Sequence, residues 1–135
     1  MKSKTKNIIL PKIAVLLTVY NGRAWIEDQI KSILMQSGVK IDLYISVDLS
    51  TDGSYEKCLE LTKEKRNVKI LPYGDRFGGA ALNFFRLIRD VDFRGYDFIS
   101  LADHDDVWLP NKLSHAVKTI KSKKVCALSS DVSAF

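Results

Sequence analysis

The sequence of 135 residues is poor in cysteine and proline and contains no long apolar run. Its two cysteines, Cys58 and Cys126, lack the spacing of metal ligands, and we expect both to be reduced core or near-core residues. No stretch approaches the roughly 20 apolar residues that span a bilayer. Pro11 and Lys12 interrupt the first apolar stretch, which is therefore typical of a strand rather than of a secretory signal. These absences favour a single cytoplasmic domain.

Glycine motifs that bind phosphate are also missing. Neither the pattern G-x-x-x-x-G-K-[ST] nor the pattern G-x-G-x-x-G occurs. The two histidines, His104 and His115, stand singly in their segments and indicate no metal site of their own. Any phosphate group bound by this chain is therefore expected to be held by a metal ion rather than by a glycine-rich loop.

The formal net charge of +5 is concentrated near the two ends of the chain. Without seven lysines the charge becomes −2; these are Lys2, Lys4, Lys6, Lys118, Lys121, Lys123 and Lys124. No basic face for nucleic acid is expected, and residues 1–11 are predicted to form a basic tail. The lysines of the last helix have two interpretations. They are solvated, or they attract that helix to an anionic surface at the inner face of a membrane as a peripheral association.

Strand and helix patterns alternate along the remaining chain. Near-continuous apolar runs predict strands, because a strand that is covered on both faces has apolar side chains along its whole length. The predicted strands are residues 13–19, 41–47, 68–71, 96–102 and a fifth at 125–129. The alternation predicts one α/β domain over residues 12–135 with a mostly parallel sheet and right-handed crossovers.

Helical periodicity fills the intervals between these strands. Apolar spacing predicts a first helix that ends near Gly38, a second over residues 55–65 and a last one over residues 111–121. A third helix follows a glycine-containing loop, and four apolar residues share one of its faces: Ala81, Leu82, Phe85 and Ile88. These helices are expected to cover the two faces of the sheet.

Polar residues follow three of the strands at the point where each ends. Tyr20 and Asn21 follow the first strand, Asp48 follows the second, and residues 103–108 follow the fourth. In open α/β sheets, ligands bind outside the carboxyl ends of the strands, near the point where strand order reverses. With a strand order of 3-2-1-4, Asp48 and Asp103 start about 9 to 10 Å apart. The sequence therefore predicts a ligand site at this edge.

Three aspartates, Asp103, Asp105 and Asp106, fall within four consecutive residues. Their ionised forms repel one another unless a cation compensates. Carboxylate oxygens suit Mg²⁺ or Mn²⁺, which complete their coordination with water and substrate phosphates. In an extended chain Asp103 and Asp105 point to one side and His104 to the other. We predict a metal site at Asp103 and Asp105. The alternative is that these acids are helix caps and solvated loop charges.

Asp48 is predicted to meet the base of a nucleotide that lies across the strand ends. A carboxylate accepts the imide N–H of uracil or thymine, which would select pyrimidines. The alternative is that Asp48 only orders the turn that follows it. Tyr20 would stack on a base or cover the sheet end, and Arg76 would reach a base or phosphate or remain solvated.

Three segments together resemble family 2 glycosyltransferases of the GT-A fold. They are residues 15–22 (VLLTVYNG), 46–54 (SVDLSTDGS) and 103–113 (DHDDVWLPNKL). The last segment is similar to that of bacterial rhamnosyltransferase-like members. The resemblance, which begins at about Ile13, implies a Rossmann-like, three-layer GT-A sandwich.

The resemblance also implies an activity. It is the transfer of a sugar, with inversion, from a UDP- or dTDP-linked donor to a hydroxyl of a carbohydrate or lipid-linked acceptor, in bacterial surface polysaccharide synthesis. Thr18, Tyr20 and Asn21 would then line the nucleotide pocket, with Asp48 at the base. Asp105 would be the direct metal ligand, and Asp103 would lie nearer the ribose.

The sequence departs from the family's pattern at several places. Val47 stands where a second acid is usual, Leu49 where a glycine is usual, and Leu82 where an arginine is usual. The family's general base is expected beyond Phe135, since Asp131 lies too early. We therefore expect an incomplete catalytic domain that is truncated on its acceptor side, and a chain that is weakly active or inactive by itself.

Two other function classes remain open from the sequence. One is a non-catalytic nucleotide-binding module. The other is a phosphoacceptor domain of the receiver type, which needs an acid pair after the first strand. Tyr20 and Asn21 occupy that place here.

Overall fold

A computed structural model describes residues 8–129. Four strands and four helices alternate: β1 (Lys12–Val19), α1 (Ile26–Leu34), β2 (Lys40–Val47), α2 (Ser54–Thr62), β3 (Val68–Ile70), α3 (Ala80–Asp90), β4 (Phe98–Asp103) and α4 (Lys112–Lys123). The first seven residues of the predicted basic tail, and Asp131, lie outside the described residues.

The four strands form one parallel sheet, as predicted, and their order is β3-β2-β1-β4, the order assumed when Asp48 and Asp103 were placed near each other. β1 is central, and its apolar residues are almost fully buried because helices cover both faces. Its register pairs Val19 with Val47 on one side and Thr18 with Asp103 on the other. The ends of β2 and β4 therefore flank the end of β1.

Two apolar clusters hold the three layers together. On one face, alternate residues of β1 and β2 pack with Ile26, Ile30 and Ile33 of α1 and with residues of α2 and α4. Trp108 is buried in this cluster, just ahead of α4, and it anchors the start of that helix to the core. On the other face, Leu16 of β1 packs with Leu87 of α3.

α3 packs against β1 and β2 with a different face from the one that its apolar pattern predicts. Leu82, Phe85 and Ile88 are half or more exposed. Asn83 and Arg86 are buried instead, because their side chains hydrogen-bond to β2 and to the loop after β3. Polar groups that find buried partners have overridden the apolar periodicity on this helix.

The predicted fifth strand is wrong within the described chain. Residues 125–129 form no strand, and all of them are exposed. A strand is stabilised by its ladder to a neighbour, and the sheet has no fifth member among residues 8–129. Cys126 lies in this exposed segment and is not a core residue, whereas Cys58 is buried as expected. Within residues 8–129 no helix has the length and apolarity to cross a membrane.

Candidate functional site at the carboxyl ends of the strands

A cleft of about 280 Å³ lies at the carboxyl edge of the sheet. It collects residues from the ends of β1, β2 and β4 and from the glycine-rich segment before α3. Its lining residues are Thr18, Val19, Tyr20, Asp48, Arg76, Gly78, Gly79, Ala80, Asn83, Asp103 and His104. Five residues singled out in the sequence, Thr18, Tyr20, Asp48, Arg76 and Asp103, therefore meet in one cleft.

A second hollow of about 340 Å³ lies at the opposite edge, where β1 and β4 begin. Its lining residues are Ile9, Leu10, Pro11, Asp97, Phe98 and Lys121. Asp97 is its single carboxylate, and that side chain already accepts the backbone N–H of Lys12. The polar groups that converge on the first cleft make it the better candidate, despite the smaller volume.

Asp48 binds the backbone of the loop that closes one side of the cleft. The residue is only 3% exposed. Its Oδ1 accepts the amide N–H groups of Leu49 and Phe77, at 2.9 and 2.7 Å, and its Oδ2 accepts that of Gly78 at 3.1 Å. Asp48 therefore orders the loop that carries Arg76, which is a role the sequence did not reveal.

Asp103 ends β4 and is held from two sides. Its Oδ1 lies 3.5 Å from the buried hydroxyl of Thr18, and its backbone carbonyl accepts a hydrogen bond of 2.7 Å from the side-chain amide of Gln29. Asp103 is exposed at the rim of the cleft, while Gln29 is fully buried beneath it. The carboxylate is therefore accessible, and its backbone is fixed from the core.

Asp105 does not share the strand geometry assumed from the sequence. β4 ends at Asp103, and the next two residues form a turn, so the alternation of an extended chain does not continue to Asp105. His104 lines the cleft, and Asp105 is exposed outside its lining. The prediction that His104 points away from the cleft is wrong for this reason.

His104 packs over Gly22, and this contact explains the glycine after Asn21. A Cβ atom at Gly22 would lie 2.5 Å from the imidazole of His104. The Trp25 ring lies beyond, with its centroid 6.3 Å from that of His104. The close approach of the backbone therefore excludes a side chain at Gly22 unless His104 moves.

Asn21 connects two loops rather than lining the cleft. Its backbone has a positive φ of 43°, and its Oδ1 accepts the N–H of Thr51 at 2.9 Å. Its own N–H donates to the hydroxyl of Ser50. Asn21 thus ties the loop after β1 to the loop after β2, and it supports the site from outside.

A buried polar network lies beneath the cleft at the end of β2. Arg86 donates to the Ser46 hydroxyl at 2.8 Å and to the carbonyl of Pro72 at 2.7 Å. The side-chain amide of Asn83 donates to the carbonyl of Ser46 at 3.0 Å. The Arg86 guanidinium also lies 5.1 Å from the ring centre of Phe77. The network fixes α3 and the glycine-rich loop against the strand end.

The carboxylates after β4 repel one another, as the sequence suggests. The pKa of Asp106 is raised, first by burial and then by the negative charges of Asp105 and Asp103. Among residues 8–129 no group of three or more metal-ligating side chains is already assembled. Mg²⁺ and Mn²⁺ commonly bind through one or two carboxylates together with substrate phosphates. Asp103 and Asp105 fit an ion that arrives with a diphosphate, because they supply hard oxygen donors to a region of excess negative charge.

The family model described as glycosyl transferase family 2 matches residues 14–132. The match includes all three segments at the strand ends. The chain belongs to glycosyltransferase family 2. The receiver-type interpretation is thereby set aside.

Curated relatives of this family 2 glycosyltransferase chain are longer than it is. It is 42% identical over 120 residues to a dTDP-rhamnosyl transferase, RfbG, of Shigella flexneri, and the match covers 88% of this chain and 42% of that protein. It is 28% identical over 119 residues to a putative teichuronic acid biosynthesis glycosyltransferase, TuaG, of Bacillus subtilis, covering 88% of this chain and 45% of that protein. The chain spans less than half of each.

Solved structures confirm the GT-A fold. A mannosyltransferase from Pyrobaculum calidifontis in complex with GDP-Man and Mn²⁺ superposes with a TM-score of 0.71 at 20% identity, covering 83% of this chain and 33% of that one. TarS of S. aureus in complex with UDP gives a TM-score of 0.65 at 23% identity, covering 82% and 32%.

Sequence reasoning missed three contributors to the site: Gln29, Asn83 and Arg86. One signal was present for Gln29, which lies in a helix between the buried isoleucines Ile26 and Ile30. A polar side chain on such a face needs a buried partner. The identity of that partner, 74 residues away, could not be read from local pattern.

Proposed function

We propose that this chain binds a nucleoside diphosphate sugar in the cleft at the strand ends. The observation that supports it most strongly is that Asp48 and Asp103 line one cleft in a member of glycosyltransferase family 2. The reaction that this binding serves is transfer of the sugar to an acceptor hydroxyl, with inversion of configuration.

The donor is a pyrimidine nucleotide sugar, linked to UDP or dTDP. The relative from S. flexneri is named for a dTDP-linked donor, and the S. aureus structure holds UDP. Asp48 Oδ2 accepts a single hydrogen bond from Gly78 and keeps capacity for an imide N–H of the base. Thr18, Tyr20 and Arg76 complete the pocket around the nucleotide.

Mg²⁺ or Mn²⁺ is the proposed cofactor, held by Asp103 and Asp105 together with the diphosphate. When bound, the ion offsets the negative charge that develops on the leaving diphosphate. The Mn²⁺ in the P. calidifontis complex is consistent with this use of a divalent ion in the fold. Thr18 and Gln29 then keep Asp103 in place from opposite sides.

The acceptor is proposed to be a carbohydrate or lipid-linked hydroxyl in bacterial surface polysaccharide synthesis. The name of the B. subtilis relative refers to such a pathway. Lys118, Lys121 and Lys123 are exposed on α4 and would favour peripheral association with an anionic membrane from the cytoplasmic side. A carboxylate supplied by residues other than those of the cleft would deprotonate the acceptor hydroxyl.

Titration calorimetry tests the donor site directly. UDP and dTDP are titrated into the chain with and without Mn²⁺, with GDP as the comparison nucleotide. We expect Mn²⁺-dependent binding of a pyrimidine nucleotide and weaker binding of GDP. Absence of Mn²⁺-dependent binding for both UDP and dTDP would overturn the proposal.

A further inference from the structure

We propose that Gln29 is a positioning residue of the nucleotide site, and that it sets the place of the Asp103 carboxylate through the backbone. The inference rests on the proposed function, because Asp103 matters only if the cleft binds a nucleotide with a metal ion. It assigns a role to a residue outside the cleft, on the helix beneath it.

The hydrogen bond joins the two residues directly. Gln29 is fully buried on α1, and its Nε2 donates to the backbone carbonyl of Asp103 at 2.7 Å. Asp103 is the last residue of β4, an edge strand that pairs only with β1 among the described strands. The regular ladder ends here, so the side chain of Gln29 takes over the role of fixing the backbone.

Ser32 fixes the orientation of the Gln29 amide. The Ser32 hydroxyl lies within donor reach of two oxygens of Gln29, Oε1 at 2.8 Å and the backbone carbonyl at 2.9 Å, and it accepts the backbone N–H of Trp108 at 3.0 Å. With Oε1 facing a donor, the NH₂ group of Gln29 faces Asp103. These hydrogen bonds thus join Asp103 to Trp108 through two side chains of α1, those of Gln29 and Ser32.

Gln36 makes a similar contact farther along the same segment. Its Nε2 donates to the carbonyl of Leu109 at 2.6 Å, and its Oε1 accepts the N–H of Leu113 at 2.9 Å. The bonds from Gln29 and Gln36 go to backbone atoms of residues 103–113, so α1 and the connection after it hold that segment whatever side chains it carries. Of the two glutamines, Gln29 is the one that contacts the residue whose carboxylate reaches the cleft, and this difference separates positioning of the site from general stability.

The main test compares Gln29→Met with Gln36→Leu. Both replacements remove a buried side-chain amide, Gln29 from α1 and Gln36 from the connection after it, and leave backbone groups unpaired, so both lower the melting temperature. The ratio of UDP or dTDP affinity with Mn²⁺ to affinity without it is measured at a temperature where every variant is folded. We expect this ratio to fall about tenfold or more in Gln29→Met, as is usual when a group supporting a metal ligand is lost. In Gln36→Leu it should equal that of the unaltered chain.

Ser32→Ala provides a second, milder variant if Gln29→Met does not fold. It leaves the amide in place and removes the hydroxyl beside Oε1, so a smaller decrease of the same ratio is expected. An unchanged ratio in the folded variants, or an equal decrease in Gln36→Leu, overturns the positioning role. If the unaltered chain binds neither nucleotide with Mn²⁺, the proposed function fails, and the inference fails with it.

Discussion

The carboxylate of Asp48 accepts a hydrogen bond of 2.7 Å from the backbone N–H of Phe77, which lies 29 residues later in the chain. A second bond reaches Gly78. One aspartate at the end of β2 therefore orders the loop that brings Arg76 to the cleft. Asp48 also lines the cleft, so ordering of the loop and the proposed contact with a nucleotide would be combined in a single group.

Replacing Asp48 with alanine should release this loop. The backbone amides of Phe77 and Gly78 lose their acceptor, at a cost of about 1 to 3 kcal/mol, whereas that of Leu49 keeps the carbonyl of Asp75. Hydrogen–deuterium exchange should accelerate at residues 77 and 78, and UDP or dTDP affinity should fall. Asp75→Ala is the control, because it removes an exposed carboxylate from the same loop. Unchanged exchange in Asp48→Ala would contradict the assignment.

Neutralising Asp103 or Asp105 should remove the metal-dependent part of nucleotide binding. Asp103→Asn and Asp105→Asn keep the size of each side chain and lose the charge that attracts a divalent ion. Calorimetry is expected to show similar UDP affinity with and without Mn²⁺ in both variants. Asp92→Asn serves as the control, because Asp92 pairs with Arg94 after α3, away from the strand ends. If Asp105→Asn retains the full effect of Mn²⁺ on UDP affinity, Asp103 is a metal ligand and Asp105 is not.

Arg86 and Arg89 both contact Asp90, yet they should differ in their importance for stability. Arg86 is 6% exposed and bonds also to Ser46 and Pro72, whereas Arg89 is largely exposed. Urea denaturation should show a loss of about 1.5 to 3 kcal/mol for Arg86→Met, the usual range for hydrogen bonds to charged groups. Arg89→Met should leave stability almost unchanged, because exposed ion pairs contribute little. Equal losses would show that the buried network contributes nothing beyond the ion pair.

The two cysteines should differ sharply in reactivity. Burial, with a smaller contribution from the charge of Asp52, raises the pKa of Cys58 to about 12. Cys126 is exposed. At pH 8 a thiol reagent should modify one cysteine per folded chain, identified as Cys126 by mass spectrometry, and both after unfolding. Rapid labelling of Cys58 in the folded chain would show that this face of α2 is not packed in the core.

The raised pKa of Cys58 also predicts a dependence of stability on pH. In the unfolded chain the thiol ionises near its ordinary value of 9.0, while in the folded chain it stays protonated to about pH 12. The unfolded state therefore binds fewer protons in this interval, and stability falls as pH rises through it. Urea denaturation at pH 8 and pH 10 should show a smaller decrease in Cys58→Ala than in the unaltered chain. An identical decrease would contradict the shift.

The sequence by itself indicated four strands of the sheet, their parallel arrangement and the family. Apolar runs such as that of β1 mark strands buried on both faces, and the turn residues between them mark the strand ends. Because the ends of parallel strands meet at one edge, the positions of Asp48 and Asp103 already placed both at the same site. These conclusions needed only local pattern and the general rules of α/β topology.

Only the tertiary structure decided the partners of the polar groups. The loop amides on Asp48, the amide of Gln29 on Asp103 and the inward turn of Arg86 join residues 14 to 74 positions apart. Apolar spacing cannot report such contacts, because burial of a polar group depends on whether a distant partner satisfies it. On α3 the buried polar side chains have such partners, and the apolar face therefore lies outward. Residues 125–129 have no neighbouring strand in the described chain, and they form no strand despite their apolar pattern.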